Sequence, residues 1–60
     1  MTPKQVIERL EREGWQEARR GGSDRQFKHP QKRELITVPE HRNKDLAPGT
    51  LADIKRKAGW

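Results

Sequence analysis

The chain reads as an α+β domain in the order α-β-β-β-α: a three-stranded antiparallel sheet with two helices packed on one face. Three observations predict it. Residues 2–14 carry both start and stop signals of a helix, residues 34–39 form a β-branched stretch, and a second signalled helix ends at Gly59. At 60 residues the chain is expected to be one domain spanning 1–60. Below about 70–80 residues a single core rarely supplies more than roughly 3–5 kcal/mol. A small meander needs one face covered, and two one-sided helices cover it, leaving the opposite face free for a ligand or partner.

The first helix lies in MTPKQVIERLEREG. Thr2 is the N-cap, Pro3 takes the first helical position, Gln5 completes a capping box and Gly14 is the stop. Val6, Ile7 and Leu10 make one apolar stripe, while Lys4, Glu8, Arg9, Glu11 and Arg12 cover the rest. WQEARR and SDRQFKH suit two short strands joined by a tight turn at Gly21-Gly22. In the first, Glu17, Arg19 and Arg20 do not alternate cleanly with apolar residues. In the second, Arg25, Phe27 and His29 share one face and Asp24, Gln26 and Lys28 the other, so Phe27 points inward and Asp24 outward. PQKR is expected as a turn and ELITVP as the third strand, with Ile36 and Val38 inward and Leu35 and Thr37 outward. From Pro39 to Gly49 the chain is polar and turn-prone, anchored by Leu46. Thr50 is expected to cap a second helix, LADIKRKA, with Asp53 at the capping-box position, Leu51, Ile54 and Ala58 inward, and Gly59 as the stop.

Charged residues make up 38% and hydrophobic ones 28%, a balance near that of disordered chains, yet the apolar residues are clustered and punctuated rather than scattered. There is no cysteine, which removes disulfide staples and thiolate metal sites together and suits a reducing compartment. No apolar run approaches the 18 or so residues of a membrane span, and the N-terminus has no apolar leader. The expectation is a cytoplasmic protein with no membrane partner. A net charge of +5 and a pI near 10.3 concentrate polyanions, nucleic acid first among them.

Chemistry gathers in GGSDRQFKHP, residues 21–30. Gly22 serves the turn and is also compatible with close approach of a nucleic-acid backbone. Ser23 is a turn former with a hydroxyl for phosphate. Arg19, Arg20, Arg25, Lys28, Lys32 and Arg33 cluster around the two hairpin turns as a phosphate-contacting edge, against the plainer reading of a solvated basic surface. His29 either closes its strand by bonding to backbone or water, or plays an accessory role with a nucleic-acid ligand. His41 is a solvated loop residue or a phosphate contact. A metal site from Glu40, His41 and Asp45 lacks ligand spacing, so neither metal nor other cofactor is expected. Lys44, Lys55, Arg56 and Lys57 belong to the polar side of the last helix, and Phe27 and the two tryptophans to the core or its rim.

With these pieces in order, the sequence resembles the HicA-type toxins, small mRNA interferases of toxin–antitoxin modules. The resemblance is carried by the helix ending in Glu13-Gly14-Trp15, the Gly22-Ser23 turn leading into QFKHP, the strand ending ITVP, and KDLAPGTLADIKRKAG over residues 44–59. It implies a fold similar to the double-stranded RNA-binding domain, metal-independent cleavage of mRNA, and neutralisation by a HicB-type antitoxin. It also implies a catalytic histidine after the Gly-Ser turn, where this chain has Asp24.

Cleaving RNA without metal needs a base for the 2′-hydroxyl proton, stabilisation of the phosphorane charge, and an acid for the leaving 5′-oxygen. Histidine suits both proton transfers because its reference pKa of about 6.5 lies near the working pH, whereas that of Asp is about 3.9. The difference corresponds to roughly 3.5 kcal/mol of proton affinity, of which only part enters the barrier. As a base Asp24 is therefore slower by on the order of tenfold to a hundredfold, and its fixed negative charge repels phosphate. Three readings are open: a HicA-type endoribonuclease with a carboxylate in the histidine position, a related domain that binds RNA or its antitoxin with little or no cleavage, and a basic module unrelated to RNA.

Overall fold

A computed structural model of the chain describes residues 1–22, 24–40 and 44–60, with backbone alone at positions 20 and 21. Ser23 and His41 lie outside the described residues. The element order is α1 (Pro3–Arg12), β1 (Gln16–Gly21), β2 (Asp24–His29), β3 (Lys32–Pro39) and α2 (Pro48–Ala58). The strands form an antiparallel sheet in the order β1-β2-β3, the α-β-β-β-α arrangement that the sequence pattern predicts.

Helix α1 starts as its signals require. Thr2 Oγ1 accepts from the Gln5 backbone N–H at 3.2 Å, and Gln5 Oε1 accepts from the Thr2 N–H at 2.9 Å, so two amides with no helical partner are satisfied reciprocally. Gly14, at φ +98°, ends it. A Cβ there would stand 3.1 Å from His29 Nε2, so both the backbone angle and the close approach require glycine.

Val6, Ile7 and Leu10 of α1, Ile54 and Ala58 of α2, and Phe27, Ile36 and Val38 of the sheet join Trp15 and Leu46 in one buried cluster. Phe27 pairs with Ile36 and Arg25 with Val38, so these side chains share the face that both helices cover. Leu46 anchors the polar segment, and its N–H donates to Met1 O at 2.8 Å.

Three local expectations need correction. Helix α2 begins at Pro48 rather than after Thr50: Ala47 is the N-cap, with no side-chain capping bond. Proline presets the helical φ and has no N–H to satisfy, so it starts the helix three residues early and puts Thr50 inside the first turn. Asp53 accordingly does not cap; it accepts from Arg56 Nη2 at 2.9 Å and Lys57 Nζ at 3.0 Å. The second hairpin is also tighter than PQKR suggests, because β3 already starts at Lys32. His29 Nδ1 accepts from the Gln31 N–H at 3.1 Å and closes the turn within Pro30-Gln31. Lys44 precedes α2 and is not on it.

Strand β1 explains its own irregular pattern. Glu17 pairs with Phe27 but Arg19 pairs with Gln26, so Ala18 is an extra residue in β1. A one-residue insertion reverses the faces of the residues after it. Glu17 therefore turns towards the helices and Arg19 away from them.

Candidate nucleic-acid interface

Alternation along the strands defines the open face. Asp24, Gln26 and Lys28 point away from the helices because Phe27 among them is fully buried on the other side. Cross-strand neighbours lie on the same face: Gly21 and Pro39 beside Asp24, Arg19 and Thr37 beside Gln26, and Gln16 beside Lys28. On β3, Lys32 and Glu34 reach α2, which leaves Arg33 and Leu35 facing outward. Leu35 is 47% exposed.

Charge is sorted between the two faces. On the helix-covered side, Arg25 makes a bidentate pair with Glu17, Nε to Oε2 at 2.7 Å and Nη2 to Oε1 at 2.9 Å, and lies 4.0 Å from Glu40. The bond to Glu17 holds the guanidinium above its ordinary pKa, working against desolvation. Lys32 Nζ donates to Ala58 O at 3.1 Å, at the negative end of α2. Glu34 lies 3.9 Å from Arg56.

On the open face, Arg19, Lys28 and Arg33 have no hydrogen-bonding or ion-pair partner among the described residues. Asp24 is exposed, and its carboxylate is likewise unpartnered among them. It begins β2 directly after the first hairpin turn, where Gly22 has φ +58° and open space where a Cβ would stand. Among the described residues, a polyanion laid across this face would meet Arg19, Lys28 and Arg33, each without a partner there, and the Asp24 carboxylate.

His29 does not join Asp24. It lies at the other end of β2, with Nδ1 accepting from Gln31 and Nε2 3.1 Å from Glu13 O. Because Nδ1 accepts, Nε2 carries the proton and donates to that carbonyl. The ring also packs edge-on against Trp15, with centroids 5.3 Å apart. Of the residues singled out from sequence, Gly22, Asp24 and Lys28 thus share the open side or its bordering turn. Arg25, His29 and Lys32 are tied into the other side, and for Arg20 only the backbone pairing with Arg25 is described.

Sequence reasoning passed over Gln26 and Thr37 as site residues, although the alternation around Phe27 could have found Gln26. It also passed over a clasp on the far side of the molecule. Trp60 Nε1 donates to Glu13 Oε1 at 2.6 Å, Arg9 Nε donates to Glu13 Oε2 at 3.1 Å, and the Arg9 guanidinium stacks 4.2 Å from the Trp60 ring centroid. The Trp60 bond, with Arg9 helping, lowers the Glu13 pKa from its ordinary value of 4.5.

Fold and face together define a small basic α+β domain with a cationic open sheet face. A family model described as the HicA toxin of bacterial toxin–antitoxin matches residues 3–60, and the chain belongs to that family. No curated protein matches it. Among the described residues, no helix is long and apolar enough to cross a membrane.

Proposed function

We propose that the chain is an mRNA endoribonuclease that acts in the cytoplasm, without metal, and is neutralised by a HicB-type antitoxin. Asp24 stands in the position of the family histidine. The observation that carries this reading is the placement of Asp24: exposed and unpartnered among the described residues, at the mouth of a glycine turn, on a sheet face whose other charges are cationic.

In this reading Arg19 and Lys28 hold phosphates along the face, and Gly22, in the turn before Asp24, borders the reacting group. The Asp24 carboxylate takes the 2′-hydroxyl proton as the 2′-oxygen attacks the adjacent phosphorus; the P–O5′ bond breaks, leaving a 2′,3′-cyclic phosphate, and the departing 5′-oxygen takes its proton from solvent water. A carboxylate is the weaker base, so cleavage is slow, by about tenfold to a hundredfold against an imidazole. Arg25 and Lys32 serve this site through the fold, since each is held by a protein partner.

A second reading, a domain that binds RNA or its antitoxin with little or no cleavage, is favoured by His29. That ring is occupied at the far end of β2, so it supplies no acid to partner Asp24.

Induction in a host lacking the antitoxin separates these readings through growth and mRNA integrity. Slow cleavage by the parent, faster cleavage by Asp24→His and none by Asp24→Ala support the first. Toxicity in Asp24→His alone supports the second. If Asp24→Ala is as toxic as the parent, Asp24 is not the base.

A further inference from the structure

How far the reaction runs depends on what stands near Asp24. Among the described residues, the titratable side chains of the open face are Asp24, Arg19, Lys28 and Arg33. Arginine does not give up a proton in a protein. Lys28 lies four residues from Asp24 along β2, about 13 Å by strand rise, and His29 five, about 16 Å. The His29 ring is also engaged at both nitrogens, with the Gln31 N–H and the Glu13 carbonyl. Asp24 itself is exposed, with no partner for its carboxylate among the described residues.

We propose that cleavage by this chain stops at the 2′,3′-cyclic phosphate, so that its products pass to a separate reaction of the class that opens 2′,3′-cyclic phosphodiesters. The inference rests on the RNA-cleaving function above. Hydrolysis of the ring is a second displacement: water attacks the phosphorus and loses a proton, the P–O2′ bond breaks, and the 2′-oxygen takes a proton, giving a linear 3′-phosphate. The first step has a tethered nucleophile, since the 2′-oxygen neighbours the phosphorus. The second must recruit a free water and forfeits that proximity. It also needs an acid for the 2′-oxygen. The proton that Asp24 captured would serve, but at neutral pH a carboxylic acid open to water has already released it. Without a general acid, ring opening is slower by on the order of a hundredfold or more, and the cyclic ester leaves so open a face before water attacks it.

The test digests a long in vitro transcript with the parent at neutral pH and scores the new 3′ ends, per cut, by enzymatic poly(A) tailing. Tailing needs a 3′-hydroxyl. Phosphatase exposes one from a linear phosphate but not from a cyclic one, which dilute acid must open first. Acid before phosphatase is expected to raise tailing of the parent's ends about tenfold over phosphatase alone. Asp24→His, whose imidazole can keep the captured proton at neutral pH, should narrow that ratio towards parity as digestion proceeds. His41→Ala should leave it at the parent's value.

A parent that cuts, depends on Asp24 and yields ends tailed equally well without acid overturns the inference and leaves the RNA function standing. No cleavage by the parent, or ends that tail with no treatment at all, removes the function and the inference with it.

Discussion

The two faces of this sheet use one strand for different ends. On β2, Arg25, Phe27 and His29 face the helices, and each has a partner: Glu17, the apolar cluster, and the Glu13 carbonyl with the Gln31 amide. Asp24, Gln26 and Lys28, interleaved with them, face outward and have none among the described residues. Charge as such does not mark the functional side, because Arg25 and Lys28 both carry a positive charge and are three residues apart. What separates them is whether the fold has already used the group. A 60-residue domain with so little core commits the charges on its covered side to stability, so the uncommitted ones on the other side point to a ligand.

The largest expected contrast is in stability. Phe27 is fully buried, and Phe27→Ala should remove about 3–5 kcal/mol. That is comparable to what so small a core supplies, so circular dichroism should show an unfolded chain. Leu35→Ala, on the open face, should leave the urea midpoint within about 0.5 kcal/mol of the parent. An equal loss in both would mean that the open face is covered in the folded protein.

Next in size is Arg25→Ala. Its side chain is 16% exposed in the bidentate pair with Glu17, and losing it should destabilise by about 1–2 kcal/mol in urea unfolding. Arg19→Ala, without such a partner, should change stability little.

The smallest effect concerns acid stability and the clasp around Trp60. The folded-state pKa of Glu13 is depressed below 4.5, so the clasp contributes fully above that value and is lost as pH falls through the depressed one. Glu13→Gln should therefore flatten the loss of stability below pH 4.5, measured by melting across that range. The change should be small, because the Glu13 side chain is 38% exposed. An acid limb as steep as the parent's would mean that Glu13 has no part in acid stability.

Much of this arrangement is legible in the sequence. The capping box at Thr2 and Gln5, the stops at Gly14 and Gly59, and the inward set Phe27, Ile36 and Val38 follow from local chemistry and strand period. The orientation of Asp24 follows from the same period. The hidden part depends on contacts distant in sequence or on competing local signals. The bulge at Ala18 decides which of Glu17 and Arg19 lies on the open face, and no residue type announces it. Arg25 and Lys32 read as phosphate ligands until Glu17 and the Ala58 carbonyl are seen beside them. Trp60 finds Glu13 across 47 residues. At α2, Pro48 outweighed Thr50, a conflict between two valid start signals.

The division between the faces is tested most directly by the salt dependence of binding to a short single-stranded RNA. Each phosphate contact removed should lower the slope of log affinity against log salt by about 0.7. That drop is expected for Arg19→Ala and for Lys28→Ala, and the parent's slope for Arg25→Ala and Lys32→Ala measured where each remains folded. A drop for Arg25→Ala or Lys32→Ala, with none for Arg19→Ala and Lys28→Ala, would reverse the assignment and put the RNA on the other side of the sheet.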